Sequence, residues 1–251
     1  MSHHGLPCWY ELTSNDPTAA QKFYATVVGW TWVDSGVEGM TYLLAKVGDA
    51  MVAGLAPLAD PDQPVGWTFY VAVDDCDATV KQAQGLGATV IMPPMDIPGT
   101  GRFAILADPQ GAGFGLLQPL PSGAGGAFDQ SIIGHGNWHD LGCPDPAAAA
   151  AFYGALFGWT ITQSMPMGPD MVYHTFNHSG QDIGGFFEQT NPKQGSGWMV
   201  YFGAASTQVV TSLVPKAGGR VLQPPAEVPG GAFIVHCADG QGACFAMVGP
   251  A

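Results

Sequence analysis

Two acidic residues occupy equivalent positions in a repeated sequence pattern, Trp-x-(Glu/Asp)-Leu. Glu11 follows Trp9 by two residues, and Asp140 follows Trp138 in the same way, 129 positions further on. Residues two apart on a strand share one face, so each carboxylate is expected beside an indole. A carboxylate in a desolvated, aromatic setting can act as a general base or acid. Glu11 and Asp140 are therefore the candidate catalytic residues; the alternative is that they bond to neighbouring groups and position strands.

A second set of side chains is suited to ligand contact. Tyr70 and Tyr201 are equivalent at an offset of 131, two residues after Thr68 and Met199, respectively. Their hydroxyls can donate to a ligand oxygen, although packing explains them equally simply. Arg102 can bind an anion or pair with an acid such as Asp96. The predicted ligand-binding residues are Trp9, Thr68, Tyr70, Arg102, Trp138, Met199 and Tyr201.

The histidines do not form a repeated metal-binding pattern. His135 and His139 are predicted on a strand, and His174 and His178 straddle a strand end. No histidine pair recurs between the two halves, so a surface or second-face position is expected for each. His236, on a late strand, is the one histidine predicted to face a ligand.

These residues lie in a sequence that repeats itself. Asp16-Pro-x(5)-Phe-Tyr-x(4)-Gly-Trp30 recurs as Asp145-Pro-x(5)-Phe-Tyr-x(4)-Gly-Trp159. Each copy predicts a helix with Asp as N-cap, Pro at the first helical position and Gly at the end. In the first copy, Ala20, Phe23, Tyr24 and Val27 recur at helical spacing and should face a sheet.

The order of the predicted elements is strand, helix and three strands, and it occurs twice in each half. Helices separated by several strands indicate an α+β fold with antiparallel pairing. The later motif Asp108-Pro-Gln-Gly-Ala recurs as Asp239-Gly-Gln-Gly-Ala. We predict two tandem domains, residues 1–120 and 131–251, joined by a Pro- and Gly-rich linker at 121–130, each built from two βαβββ units.

Composition excludes several classes of function. The net charge is −13, with only seven Lys and Arg, so no basic surface can neutralise nucleic acid or an anionic membrane. No apolar run is long enough to span a membrane, and no signal peptide is evident at the start. Five cysteines fit reduced thiols in a cytoplasmic protein, with a Cys237–Cys244 bridge as the alternative. Sequence motifs of hydrolases, NTPases and dinucleotide-binding proteins are absent.

The helix pattern, the preceding Trp-x-Glu-Leu strand and the Asp-Pro-Gln-Gly turn, repeated in register, resemble the vicinal oxygen chelate (glyoxalase, bleomycin-resistance and extradiol dioxygenase) superfamily, and in particular its two-domain branch. The resemblance covers nearly the whole chain. It implies paired βαβββ units whose sheet curls into a cup that holds a ligand. Fold does not determine function in such a family.

The resemblance also implies where divalent-metal ligands would stand. In this sequence those positions hold residues that do not ligate metals through their side chains, except weakly for a threonine. They are Trp9, Gly54, Thr68 and Gly115 in the first half, and Trp138, Gly185, Met199 and Ala246 in the second. No cofactor is therefore expected, and a divalent metal at other positions is the alternative.

Three hypotheses for function follow. The first is a metal-independent protein that binds, and isomerises by proton transfer, an apolar or aromatic ligand that carries oxygen. The second is a bleomycin-resistance-like module that sequesters a ligand without catalysis. The third is a divalent-metal lyase or dioxygenase of glyoxalase type. The expected partner in each case is a small molecule.

Overall fold

The structure is a computed structural model, and it describes residues 3–37, 39, 41–60, 62–120, 126–168, 171–189, 191 and 195–251. Part of the predicted linker, residues 121–125, lies outside the described residues. The remaining linker residues include Phe128, which forms an isolated bridge with Gly136.

Four βαβββ modules follow one another along the chain, as predicted. The first comprises β1 (Pro7–Ser14), α1 (Pro17–Val27), β2 (Thr31–Asp34), β3 (Leu43–Val47) and β4 (Ala50–Pro57). The second comprises β5 (Gly66–Ala72), α2 (Cys76–Gly85), β6 (Thr89–Ile97), β7 (Gly101–Ala107) and β8 (Gly113–Pro119). The third comprises β9 (Gly136–Cys143), α3 (Pro146–Phe157), β10 (Thr160–Pro166), β11 (Val172–His178) and β12 (Gln181–Glu188). The fourth comprises β13 (Gly197–Gly203), α4 (Thr207–Lys216), β14 (Arg220–Glu227), β15 (Phe233–Ala238) and β16 (Cys244–Gly249).

The repeated helices begin and pack as their sequences predict. Asp16 caps α1 by accepting from the Ala19 backbone N–H at 2.9 Å, and Asp145 caps α3 in the same way. Pro17 and Pro146 occupy the first helical position. The predicted apolar face of α1 is buried. α3 ends at Gly158, whose φ of 74° is a left-handed conformation that favours glycine.

Two mixed sheets of eight strands each are formed, one per half of the chain. Their orders are β2-β3-β4-β1-β5-β8-β7-β6 and β10-β11-β12-β9-β13-β16-β15-β14. The consecutive strands are antiparallel hairpins, as predicted, but β1 pairs with β4, and β5 with β8, in parallel. The parallel pairs arise because a helix and two strands intervene between the partners, so the chain returns in its original direction.

The chain forms two compact units, and each takes one module from each half. We call the unit with the two middle modules of the sequence the inner unit, and it comprises Met1–Cys8, Thr68–Gly125 and His139–Met199. The unit with the first and last modules of the sequence is called the outer unit, and it comprises Trp9–Trp67, Gly126–Trp138 and Val200–Ala251. The inner unit thus combines most of the second and third modules, and the outer unit most of the first and fourth. The domain boundaries at 1–120 and 131–251 stay a prediction: each sheet is formed by one half of the chain, whereas each compact unit takes segments from both halves.

A buried hydrogen-bond cluster joins the two modules of the inner unit. Tyr153, from the Phe-Tyr motif of α3, donates to Oδ2 of Asp108 at 3.0 Å and accepts from Nε1 of Trp198 at 3.1 Å. Asp108 is 4 % exposed, and its Oδ1 accepts from the backbone N–H groups of Gln110 and Ala112. Both modules therefore supply hydrogen-bond donors to the Asp108 carboxylate.

The outer unit repeats this cluster with the roles of the halves exchanged. Tyr24 donates to Asp239 at 3.3 Å and accepts from Trp67 at 2.9 Å. Gln241, in the same loop as Asp239, is bonded to the backbone of Asp16 at the start of α1. The Phe-Tyr motif of one half thus binds the Asp-x-Gln-Gly motif of the other half.

The five cysteines are all free thiols, so the alternative bridge between Cys237 and Cys244 is not formed. Cys237 pairs in register with Phe245, and Cys244 with Ala238, which keeps the two thiols out of register with each other. None of the helices in the described ranges is long and apolar enough to cross a membrane.

We predict that Tyr153→Phe lowers the free energy of unfolding by about 1–3 kcal/mol, because it leaves a buried carboxylate oxygen without its donor. A double-mutant cycle with Asp108→Asn, measured by denaturant unfolding, isolates the pairwise energy. A coupling energy indistinguishable from zero would contradict the role assigned to this hydrogen bond.

We also predict a specific contribution of His139 to acid unfolding. His139 is fully buried, and its Nδ1 lies 2.8 Å from the carbonyl oxygen of Ile183. Burial lowers the pKa of His139 to about 4 from its ordinary 6.5. Between those two pH values the unfolded chain binds a proton that the folded chain does not, so stability falls as the pH falls.

The His139→Asn variant, which keeps an amide donor near Nδ1, should therefore lose less stability between pH 7 and pH 4 than the wild type, by up to about 3 kcal/mol. Urea unfolding at a series of pH values measures the difference, and the titrating carboxylates common to both proteins cancel. Superimposable pH profiles would show that His139 does not titrate in this way.

Candidate functional site

The first candidate site lies in the outer unit and is built on β1. Trp9 and Glu11 project from the same face of this strand, and both are half-buried. Tyr42, one residue before β3, lies between them: its hydroxyl accepts from Nε1 of Trp9 at 3.0 Å and donates to Oε2 of Glu11 at 2.9 Å. We refer to Trp9, Glu11 and Tyr42 as the Glu11 cluster.

A glycine makes room for the tyrosine of this cluster. Gly54 on β4 is the in-register partner of Glu11, and a Cβ at this position would overlap the Tyr42 hydroxyl. Any other residue at position 54 would displace the ring from the carboxylate. A glycine is therefore required at position 54, because the Tyr42 side chain approaches the backbone closely there.

The electrostatics of the cluster favour a protonated tyrosine. Desolvation, reinforced by the negative charge of Glu11, raises the pKa of Tyr42 well above its ordinary value. The hydroxyl therefore keeps its proton and donates it to the carboxylate in the hydrogen bond. A neutral phenol beside an ionised carboxylate fixes the orientation of that carboxylate.

The third module, in the inner unit, contains an equivalent arrangement. Tyr173 on β11 donates to Oδ1 of Asp140 at 2.5 Å. Gly185 is the in-register partner of Asp140, and a Cβ there would overlap the Tyr173 ring. The two halves thus share a tyrosine, a carboxylate and a facing glycine, although Asp140 is one methylene shorter than Glu11.

Sequence reasoning did not identify Tyr42 or Tyr173. A signal was present, because Met-x-Tyr occurs at residues 40–42 and again at 171–173, in the same register as Gly54 and Gly185. Tyr42 lies just before the third strand of its module and Tyr173 lies on the third strand, whereas the resemblance implies ligand positions on the first and last strands.

The remaining predicted tyrosines lie over the last strand of their modules. Tyr70 is 4 % exposed, its in-register partner is Gly115, and a Cβ at Gly115 would overlap its ring. Tyr201 is 2 % exposed and pairs with Ala246, and its hydroxyl lies 2.9 Å from Nε2 of His236. His236 therefore has a defined polar partner.

The four other predicted ligand-binding residues are half-buried. Thr68 and Met199 are half-buried on β5 and β13. Arg102 is bound by two exposed carboxylates, through Nε and Nη2 to Asp77 at 2.6 and 3.0 Å and through Nη1 to Asp96 at 2.8 Å. The predicted pairing of Arg102 with Asp96 is present, and Asp77 is a second partner. Trp138 is half-buried on β9.

The other histidines differ in how they are placed. His139 packs on the ring of Phe69 with centroids 4.9 Å apart, and His135 is 3 % exposed, so both are interior residues. His174 lies 2.8 Å from the Ser164 hydroxyl. His135 and His139 are therefore not surface residues, and of the two expected placements only the second face of the strand, opposite Trp138, remains for His139.

The residues at the family's metal positions do not fit a divalent ion. The aromatic ring of a tyrosine occupies the space into which a ligand side chain at Gly54, Gly115 or Gly185 would extend. In the described parts of the chain, no group of three or more His, Cys, Asp or Glu side chains is arranged to hold a metal. We therefore assign no chemistry to a metal at these positions.

Comparison with known proteins agrees with this architecture. The family model described as Glyoxalase/Bleomycin resistance protein/Dioxygenase superfamily matches residues 8–116 and again residues 133–246. The chain is similar to the protein named "Putative glyoxylase CFP32" of Mycobacterium tuberculosis, with 34 % identity over 253 residues, 98 % of this chain and 95 % of that protein. It is also similar to "Anthracycline biosynthesis protein DnrV" of Streptomyces peucetius, with 31 % identity over 264 residues, covering 97 % and 93 %.

Solved structures share the fold at low identity. The Mn(II)-bound glyoxalase of Novosphingobium aromaticivorans superimposes with a TM-score of 0.66 at 16 % identity, over 98 % of this chain and 82 % of that one. The 2,3-dioxygenase LapB of Pseudomonas sp. KL28 gives 0.68 at 15 % identity, over 100 % and 94 %. With both repeats matched and two relatives above 30 % identity over nearly its full length, the chain belongs to the Glyoxalase/Bleomycin resistance protein/Dioxygenase superfamily.

Proposed function

We propose that this protein binds an apolar or aromatic small molecule that carries oxygen, and transfers a proton of that ligand through Glu11 without a metal ion. The observation that carries the proposal is the hydrogen-bonded chain from Trp9 through Tyr42 to Glu11. Asp140 and Tyr173 provide the equivalent group in the other half.

The cluster has the parts that proton transfer needs. A general base must hold its carboxylate in one orientation within hydrogen-bond reach of the proton that it takes. Tyr42 fixes Oε2 of Glu11, and Trp9 in turn fixes Tyr42. A carbonyl-bearing ligand would present an acidic C–H or O–H to Glu11, which would return the proton to another atom of the same ligand. That sequence is an isomerisation.

The ligand class is supported by the residues and by one relative. The indole of Trp9 offers an aromatic surface beside the carboxylate, which suits a planar apolar ligand with oxygen substituents. DnrV is named for anthracycline biosynthesis, and an anthracycline is a fused aromatic system bearing carbonyl and hydroxyl groups. A ligand of this chemical class would match both features.

Sequestration without catalysis is the second candidate. The observation that favours it is that the Glu11 carboxylate already accepts a hydrogen bond, from Tyr42 at 2.9 Å. A carboxylate held in this way is well suited to fix a ligand hydroxyl in place. The two candidates differ in whether replacement of Glu11 affects the chemical step or only binding.

We predict that Glu11→Gln slows proton transfer by roughly 100-fold or more while it changes ligand affinity only several-fold, because the amide keeps the shape of the carboxylate but cannot accept a proton. Daunorubicin is a suitable probe: its binding is followed by quenching of tryptophan fluorescence, and proton transfer by incorporation of solvent deuterium, measured by mass spectrometry. The exposed Glu188 on β12 provides the control, Glu188→Gln.

Equal deuterium incorporation by the wild type and Glu11→Gln would contradict catalysis by this carboxylate. Binding by the wild type without any incorporation would support the sequestering function instead. Failure of the wild type to bind the probe would contradict the proposed ligand class.

The metal-independent mechanism makes a separate prediction. Protein purified without chelators should contain less than one equivalent of Mn, Fe, Ni, Zn or Co per chain by elemental analysis, and EDTA should leave probe binding unchanged. A stoichiometric metal whose removal abolishes binding would overturn this part of the proposal, and would support a metal lyase or dioxygenase.

A further inference from the structure

The fourth module contains a titratable pair that the Glu11 site does not use. Tyr201 on β13 and His236 on β15 are separated by β16, and both are in register with Ala246 on that strand. The tyrosine reaches over the small alanine side chain, so that its hydroxyl lies 2.9 Å from Nε2 of His236. The two rings meet edge to face, with centroids 5.7 Å apart and an interplanar angle of 78°.

The fold itself does not require this pair. At the equivalent positions of the second module, Tyr70 and Gly115 are in register and Ile105 occupies the place of His236. A module of the same topology therefore forms with an apolar side chain at this position. His236 gives the fourth module an imidazole group that the packing of the module does not require.

Aliphatic side chains lie beside His236 on the same face of the sheet. Ile234 precedes it by two residues on β15 and pairs with Val248, so both lie on its face of the sheet, and both are half-buried. On the other side, β14 places Gln223 in register with His236. Burial lowers the pKa of His236 below its ordinary value, so the imidazole is neutral at neutral pH.

A neutral imidazole presents one donor and one acceptor nitrogen, so with one nitrogen engaged by a tyrosine it can exchange a hydrogen bond with a ligand hydroxyl in either tautomer. Half-buried aliphatic side chains beside it suit the apolar body of the same ligand. We propose that the fourth module carries a second ligand site, in which His236, held by Tyr201, binds the hydroxyl of a phenol or enol whose apolar part lies on Ile234 and Val248.

This site is chemically distinct from the Glu11 cluster. The Glu11 cluster offers an ionised carboxylate, whereas the His236 site offers a neutral base backed by a phenol. The two sites would therefore prefer different ligands, or different groups of one ligand. The proposal does not depend on catalysis at Glu11.

4-Nitrophenol is the probe for this site, with calorimetry for affinity and proton NMR for location. The Cε1–H resonance of His236, assigned by its disappearance in His236→Phe, should shift as the probe is added. His236→Phe should weaken binding about tenfold, and Tyr201→Phe, which keeps the packing ring, by roughly three- to tenfold. The control His174→Phe removes a histidine from β11 and should leave affinity unchanged.

Several outcomes would overturn the proposal. They are no binding of 4-nitrophenol by the wild type at millimolar concentration, binding without a shift of the His236 resonance, and wild-type affinity in both His236→Phe and Tyr201→Phe. Loss of binding in Glu11→Gln alone would assign the probe to the Glu11 cluster and would also contradict a second site.

Discussion

A carboxylate buried in a protein must be surrounded by hydrogen-bond donors, and the aspartate of each Asp-x-Gln-Gly loop obtains its donors from both halves of the chain. Asp108 is bonded by its own loop and by Tyr153, and Asp239 by its own loop and by Tyr24. Removal of either tyrosine hydroxyl would leave one oxygen of a buried carboxyl group without its donor. This constraint explains why the helix motif and the loop motif occur together in both halves.

The same tandem repetition determines how the candidate sites are built. In three of the four modules, a tyrosine ring lies over a glycine at a position where the family places a metal ligand, and in the fourth the tyrosine reaches over an alanine. The glycine leaves space for the tyrosine ring, which a Cβ would overlap. The hydroxyls of Tyr42, Tyr173 and Tyr201 each lie within hydrogen-bond distance of a carboxylate or an imidazole. In three of the modules a tyrosine hydroxyl thus becomes the hydrogen-bond partner of a titratable side chain.

Much of the fold could be predicted from the sequence, because its signals are local. Each of these signals acts within one helix: the Asp cap, the proline at the first helical position and the spacing of Phe23 and Tyr24. Because the sequence repeats, the same signals predict the equivalent helix in the second half. Strand alternation likewise predicts that Glu11 lies on the same face as Trp9, where both contact the Tyr42 hydroxyl.

Interactions between distant segments could not be derived in this way. The partner of Tyr153 lies 45 residues away in the chain, and Tyr24 binds a residue 215 positions away. Composition and periodicity carry no information about such pairs. For the same reason Tyr42 was missed: its importance depends on Gly54 and Glu11, which belong to two other strands. The parallel pairing of β1 with β4 likewise depends on the path of the chain between them.

The central claim is that the Glu11 cluster, with no metal, holds the polar end of the ligand. A crystal structure of the protein with daunorubicin bound would test it most directly. The account predicts a ligand oxygen within hydrogen-bond distance of the Glu11 carboxylate, the Tyr42 ring still over Gly54, and no metal density between ligand and protein. A ligand oxygen coordinated to a metal ion held by side chains, or a ligand bound away from both Glu11 and Asp140, would contradict it.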